Sequence, residues 1–341
     1  MSHFSAEFIP YIKAVGRGEK LKRDLSYNEA RNALRLILQG KPSLAQTGAF
    51  LIAQRVKGES VDEVRAFTDV VREEFTTPVK PSVNHLLDLA TPYDGKAKTA
   101  QLAPAVALTL AAAGVPVLLH GAANVPTKCG VTVGMVLQAL GLRTNGTVAQ
   151  AAADVDRVGV GYIDASQFAP AWDALIPLRH HFGLRTVFNT VEKFFNPANA
   201  PYQISGFFHA NYVDRIRAQQ TGARLSYIVQ GEEGSVEMAA GRRSRIFAIS
   251  AENDLTLDPS AVGLPQREKI QLPPTLSKHT QLNATILAGN PSPATDQVAF
   301  TVGTILFLLK HTATITSGYE TAQTLLSSGK VQQTLNSAQA I

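Results

Sequence analysis

The sequence predicts an α/β fold: a small N-terminal helical bundle domain followed by a larger α/β domain with a central, mostly parallel or mixed sheet. Three observations lead there. Within the first 75 residues a serine stands three positions ahead of Glu or Gln on three occasions. The segment Thr76-Thr77-Pro78-Val79-Lys80-Pro81 then interrupts the helical pattern. Beyond it, short apolar runs alternate with helical stretches, as in a sheet with crossover helices. At 341 residues the chain also exceeds the roughly 250–300 residues at which a single core stops growing. The expected domains are 1–77, completed by about 183–200, and 82–341.

Taken in order, Ser26-Tyr27-Asn28-Glu29, Ser43-Leu44-Ala45-Gln46 and Ser60-Val61-Asp62-Glu63 are capping boxes. In each, the hydroxyl and the later side chain satisfy each other's free backbone N–H groups at a helix start. Between them Ala33, Leu34, Ile37 and Leu38 recur at helical spacing, and Phe50, Leu51, Gln54 and Arg55 fall on adjoining faces. The bundle should end near Phe75, because each following proline restrains the residue before it. The alternation then runs through Leu86–Leu89, Ala103–Ala113, Val115–Leu119, Val131–Leu140 and Val158–Tyr162. Further strands are expected at Leu225–Val229 and Ile246–Ile249, with helices around Gln281–Leu287, Asp296–Leu309 and Thr321–Leu326. Val187–Phe195 is expected to return the chain to the helical domain.

Composition narrows the function classes. Hydrophobic residues make up 45% of the chain, enough for a sizeable core. The single cysteine, Cys129, excludes an internal disulfide framework and fits a reducing compartment. No apolar run approaches the ~18–20 residues of a membrane span, and MSHFSAEFIP lacks the basic start and apolar stretch of a signal peptide, so a cytoplasmic protein is expected. Lys plus Arg total 32 against 27 acids, a mild net charge of +5. Its distribution matters more, because phosphates are held by local basic surface. Basic residues gather in Lys13–Arg23, Arg55–Lys57, Arg179–Lys193 and Arg242–Arg245, although such patches are commonly only solvated surface. No phosphate loop of the Gly-x-x-x-x-Gly-Lys kind, zinc-ligand cluster or nucleophile elbow occurs.

The segment Val117–Gly141, VLLHGAANVPTKCGVTVGMVLQALG, resembles the His-Gly motif and following helix of the anthranilate phosphoribosyltransferase family, within the nucleoside phosphorylase superfamily. Gly183–Asn189 with Asn196-Pro197, and Val229-Gln-Gly-Glu-Glu-Gly234, agree with it in order and spacing, so the likeness spans nearly the whole chain. The resemblance implies that family's fold, a dimer, and a site for phosphoribosyl pyrophosphate and magnesium. A Gly-rich turn suits that substrate because bare backbone N–H groups at a helix start can approach a diphosphate closely.

Here the motif departs. The family's Gly-Thr-Gly-Gly-Asp turn matches Ala90-Thr91-Pro92-Tyr93-Asp94, where proline lacks a donor and tyrosine adds bulk. The Asn-Ile-Ser-Thr run matches Gln101-Leu102-Ala103-Pro104, without its hydroxyls. The magnesium-binding Asp-Glu pair matches Val236-Glu237, and one carboxylate is a poor magnesium site. Standing alone, Glu237 is expected at the surface. The degenerate substrate site implied by the match comprises Thr91, Asp94, His120, Gly121, Asn124 and Glu237. No catalytic residue, metal site or cofactor is expected, magnesium entering only with the transferase alternative.

The pattern is similar to the YbiB-type branch of the family, which keeps the scaffold and binds nucleic acid without sequence preference. The features carrying that likeness are Ile12–Gly18, Arg55-Val-Lys57-Gly-Glu59, Pro126-Thr-Lys128 and Lys193. It implies a homodimer binding single-stranded DNA or RNA, with Arg17, Lys20, Lys22, Arg23, Arg55, Lys57, Lys128, Arg179, Arg185 and Lys193 converging on one inter-domain face. The alternative is phosphoribosyl transfer to an aromatic or unknown acceptor, with Arg179 and His120 lining the acceptor pocket. Plainer readings stand beside these. Arg185 also suits a structural bridge within the bundle, and His120 a satisfied core position. His180 and His181 diverge by about 100° on a helix and do not chelate together. Cys129 reads as a buried small residue, and Trp172, Phe194, Phe195, Phe207 and Phe208 as core packing rather than base-stacking platforms.

Overall fold

The computed structural model describes residues 4–208, 212–219, 222–239, 242–250, 253–265 and 268–341. Four helices open the chain: α1 (Ile9–Gly16), α2 (Tyr27–Leu38), α3 (Leu44–Lys57) and α4 (Val61–Glu74). Both halves of the capping box are formed at Ser26, Ser43 and Ser60, and Phe75 ends α4 as expected. The α/β region continues through β1 (Leu87–Ala90), α5 (Ala103–Ala112), β2 (Val117–Gly121), α6 (Val133–Ala139), α7 (Val148–Val158) and β3 (Val160–Asp164). Short helices α8 (Ala165–Phe168), α9 (Pro170–Asp173), α10 (Ile176–His180) and α11 (Phe188–Val191) follow. Then come β4 (Tyr202–Phe207), α12 (Val213–Arg217), β5 (Leu225–Gln230), β6 (Ser244–Ala248) and β7 (Leu255–Leu257). The chain closes with α13 (Leu276–Leu287), α14 (Pro293–Leu308), α15 (Ile315–Ser327) and α16 (Lys330–Gln339).

Among the described residues the strands form one mixed sheet in the order β3-β2-β1-β4-β5-β6-β7, parallel through β5 and antiparallel at β6 and β7. The chain runs outward from β1 to β2 in one direction and from β4 to β5 in the other. The strand order therefore reverses between β1 and β4, and loops leaving the carboxyl ends of these strands diverge to leave a crevice. That topology, more than any single motif, positions the site.

Two large apolar cores flank the sheet, beside a small third cluster of Phe194, Phe207, Val213, Ile216 and Ile228. One joins α5, α6, α13, α14, α15 and α16 to one sheet face, with α5 and α14 buried nearly all round. The other joins the bundle residues Leu34, Phe50 and Phe67 to Phe168, Trp172, Phe188 and Phe195 from the segment after β3. Trp172, Phe194, Phe195 and Phe207 are core residues, at most 2% exposed.

Candidate functional site

The crevice is built from loops that leave β1, β2, β4 and β5 at their carboxyl ends. After β1, the turn 91–95 is fixed by backbone contact. The Gly130 N–H donates to the Asp94 carbonyl, and Lys96 and Val131 exchange both their backbone hydrogen bonds. Gly95 has φ +70°, and a Cβ there would stand 2.7 Å from the Gly130 carbonyl oxygen. So Gly95 is required by a close crossing of two chains rather than by an ordinary turn. Tyr93 does not fill the cradle, because burial draws its ring inward. It packs edge-on to His120 and Phe195, and its hydroxyl lies 2.6 Å from His120 Nδ1. Burial raises the phenol's pKa well above its ordinary value, with the charges of Glu192 and Asp88 adding to the effect. Pro92 lines the crevice in its place.

His120 is a core residue, hydrogen-bonded through Nδ1 to Tyr93 but with no hydrogen bond at Nε2. Its Nε2 lies 3.2 Å from Asp88 Oδ1, whose second oxygen accepts from Gln203 Nε2 at 2.7 Å.

Around the crevice, cations and carboxylates are interleaved. Asp94 receives Arg185 Nη2 at 2.6 Å and Lys128 Nζ at 3.2 Å. Glu233, itself at φ +52°, accepts the backbone N–H groups of Ala97 (3.1 Å), Lys98 (2.9 Å) and Thr99 (2.7 Å) and the Thr99 hydroxyl (2.9 Å). Burial alone would raise its pKa, but the Lys98 and Ala97 N–H groups, the Lys128 ammonium and the Thr99 hydroxyl overrule it and hold the carboxyl at about 2. A run of backbone donors of the kind that cradles phosphate thus holds a carboxylate of the chain itself.

The magnesium implied by the sequence resemblance does not fit the residues present. Glu237 is 1% exposed, not a surface residue, because its carboxylate is claimed from two sides. Oε1 accepts the N–H groups of Leu102 and Ala103 at 2.9 and 3.0 Å, at the start of α5. Oε2 lies 3.2 Å from the ammonium of Lys96, a fully buried lysine that also donates to the Glu232 carbonyl at 2.9 Å. An ammonium therefore sits on the one remaining carboxylate, and its neighbour Val236 is apolar. Among the described residues no cluster of three or more His, Cys, Asp or Glu is placed to hold a metal.

Two adjoining cavities open here. The first, about 130 Å³, is lined in part by Arg55, Arg185, Lys193 and Phe208. The second, about 520 Å³, is lined in part by Lys98, Lys128, Arg185, Phe208 and Lys269. Lys193 is buried, donates to the Gly206 carbonyl at 2.7 Å, and has its pKa pushed down to about 8, by burial first and then by the Arg185 charge.

The structure thus brings Arg55, Lys128, Arg185 and Lys193 together. Other sequence-predicted residues are placed elsewhere. Arg179 is buried and pairs with Glu192 at 2.8 Å, with its guanidinium over the Phe188 ring. The Lys57 side chain is only 4% exposed, pinned between Asp24 (2.5 Å) and Glu63 (2.7 Å). Arg17, Lys20, Lys22 and Arg23 lie between α1 and α2, where Lys22 pairs with Glu19 and Arg23 with Glu29. Thr91 and Gly121 are buried, and Asn124 is exposed, with its carbonyl 2.8 Å from His180 Nε2. Cys129 is exposed rather than buried, since it lies on the solvent side of the 122–130 loop.

Sequence reasoning missed Lys96, Lys98, Glu233 and Lys269. The run Lys96-Ala97-Lys98 beside the degenerate turn was the available signal for the first two. Glu233 stood inside the Val229–Gly234 motif, but nothing local showed which backbone groups it would meet, and nothing marks Lys269, which arrives from a distant loop.

Comparison with known proteins agrees with this architecture. Residues 9–75 match the helical bundle domain of the glycosyl transferase family, and residues 91–332 match its a/b domain. The anthranilate phosphoribosyltransferase of Alkalilimnicola ehrlichii is 31% identical over 92% of this chain and 93% of its own length. That of Nitrosomonas europaea is 29% identical over 92% of each. Among solved structures, anthranilate phosphoribosyltransferase from Thermus thermophilus superposes with a TM-score of 0.83 at 26% identity over 98% of both chains. The Saccharomyces cerevisiae enzyme, in complex with PRPP and Mg, shares the fold with a TM-score of 0.84 at 18% identity over 99% of both. From bundle to sheet, this chain belongs to the anthranilate phosphoribosyltransferase family of glycosyl transferases.

Proposed function

We propose that this chain is a non-catalytic, cytoplasmic, homodimeric protein that binds the sugar–phosphate backbone of single-stranded DNA or RNA without sequence preference. One observation carries the reading. The crevice that would receive a sugar diphosphate has Lys96 on its remaining metal carboxylate and Glu233 on its backbone donors, while Arg55, Lys98, Arg185 and Lys269 line the adjoining groove. A small magnesium-chelated diphosphate has lost its seat. A long polyanion needs only a row of cations and no metal.

Titration of a single-stranded oligonucleotide against salt tests this. Each phosphate contact contributes a slope of roughly −0.7 in log affinity against log salt, so Arg55→Ala with Arg185→Ala should flatten the slope by about 1.4. No binding at low salt, or an unchanged slope in the double variant, would overturn the reading.

The second reading is phosphoribosyl transfer. It is favoured by the relatives, which are anthranilate phosphoribosyltransferases over more than nine-tenths of their length. Calorimetry with phosphoribosyl pyrophosphate and magnesium separates the two: saturable binding with anthranilate turnover supports the enzyme.

A further inference from the structure

We infer that Phe208 is a base-stacking platform and that the groove therefore selects single-stranded, unpaired polynucleotide over a bare phosphate chain or a closed duplex. This rests on the nucleic-acid reading above and adds to it a residue and a strand preference. Phe208 follows β4 directly, at the carboxyl end of the strand beside the reversal point. The pleat sends its neighbour Phe207 inward, where the ring is 2% exposed and packs 5.5 Å from Phe247. Phe208 lies one residue past the end of the strand, which is itself buried along its whole length. It is 45% exposed, whereas Phe207 is core and Tyr212, the third aromatic residue lining the first cavity, is half-buried with its hydroxyl donating to Glu59.

Its position decides what the ring can do. The two cavities share Arg185, Phe208 and Glu233, so the ring stands at the waist of one continuous groove. Arg55 and Lys193 lie on one side of it, and Lys98, Lys128 and Lys269 on the other. Asp94 and Glu233 are the acids facing this stretch, and they are engaged by Arg185, Lys128 and backbone N–H groups. An exposed apolar ring between two groups of cations suits a polymer that alternates phosphate with flat aromatic bases. Paired bases in a duplex keep their faces stacked on one another and are not offered to such a ring.

Fluorescence anisotropy with three probes of equal length tests the inference: a thymidine oligomer, an abasic oligomer with the same phosphates, and a duplex. The wild-type chain should bind the thymidine oligomer about five- to a hundredfold more tightly than the abasic one. Phe208→Ala and Phe208→Leu should bind both single strands with the abasic affinity, and Phe208→Trp should restore the preference. The leucine variant keeps the apolar bulk, so a loss there isolates the aromatic face. Equal binding of both single strands by the wild type, or a preference that survives in Phe208→Leu, overturns the stacking role and leaves the polyanion reading standing. Tighter binding of the duplex overturns the strand preference. Absence of binding to every probe at low salt overturns both.

Discussion

At the scale of residues, the site is governed by which partner each charge has already taken. Lys96 is wholly buried, and its ammonium and Glu237 compensate each other at 3.2 Å. Removing one member of a buried pair leaves an uncompensated charge, so Lys96→Met should destabilise the protein by about 3–5 kcal/mol in urea denaturation. An unchanged midpoint would show that Glu237 needs no ammonium. Glu233 gives a pH-dependent counterpart. Its carboxyl sits at about 2 in the folded protein against an ordinary 4.5, so the folded form binds its proton less readily than the unfolded chain. Its stabilising contribution is complete above about pH 4.5 and is lost as pH falls toward 2. Glu233→Gln should therefore lower the thermal midpoint at neutral pH, and the gap to wild type should close between pH 4.5 and 2. A gap independent of pH would assign Glu233 a purely steric role.

At the scale of elements, local grammar was readable wherever it lay within one turn of chain. The three serine capping boxes start α2, α3 and α4 because hydroxyl and carboxylate or amide sit three residues apart on the same backbone. A fourth box, Thr147-Val148-Ala149-Gln150, starts α7 by the same geometry and carried the same signal. The central strand β4 was not readable. Its sequence YQISGF places Gln203, Ser205 and Gly206 in the middle of the sheet, and polar residues there do not look like a buried strand. Gln203 is tolerated because Asp88 accepts its amide, and Ser205 because its hydroxyl donates to the Lys193 carbonyl. Those partners are 115 and 12 residues away, out of reach of any periodicity. The Pro92-Tyr93 substitution was legible as a departure from a phosphate cradle. The direction of the Tyr93 ring was not, because His120 and Phe195 decide it.

At the scale of the whole molecule, the bundle carries exposed apolar side chains. Phe4 is 72% exposed and Leu44, on the first turn of α3, is 58% exposed. Ser5 and Gln46 bind each other through both backbone groups of Ser5, which ties the segment before α1 to the first turn of α3. Proposed as a homodimer through the α1 and α3 face, the protein should sediment as two copies, and Leu44→Asp as one. An acid at a helix start complements its dipole, so the variant should still fold. A wild type that sediments as a single copy would remove the proposal. The sequence by itself determined the helical bundle, the break after Phe75, the alternating α/β region and the loss of the glycine cradle. Each of these is written in caps, periodicity and residue types that act within a few positions. Only the tertiary structure decided that Glu233 occupies the N–H run of residues 97–99, that Lys96 meets Glu237, that Arg179 and Lys57 are internal, and that Phe208 stands in the groove. Such pairings join residues as far as 141 positions apart, Lys96 to Glu237, and they are set by which loops the reversal of strand order brings to one end of the sheet.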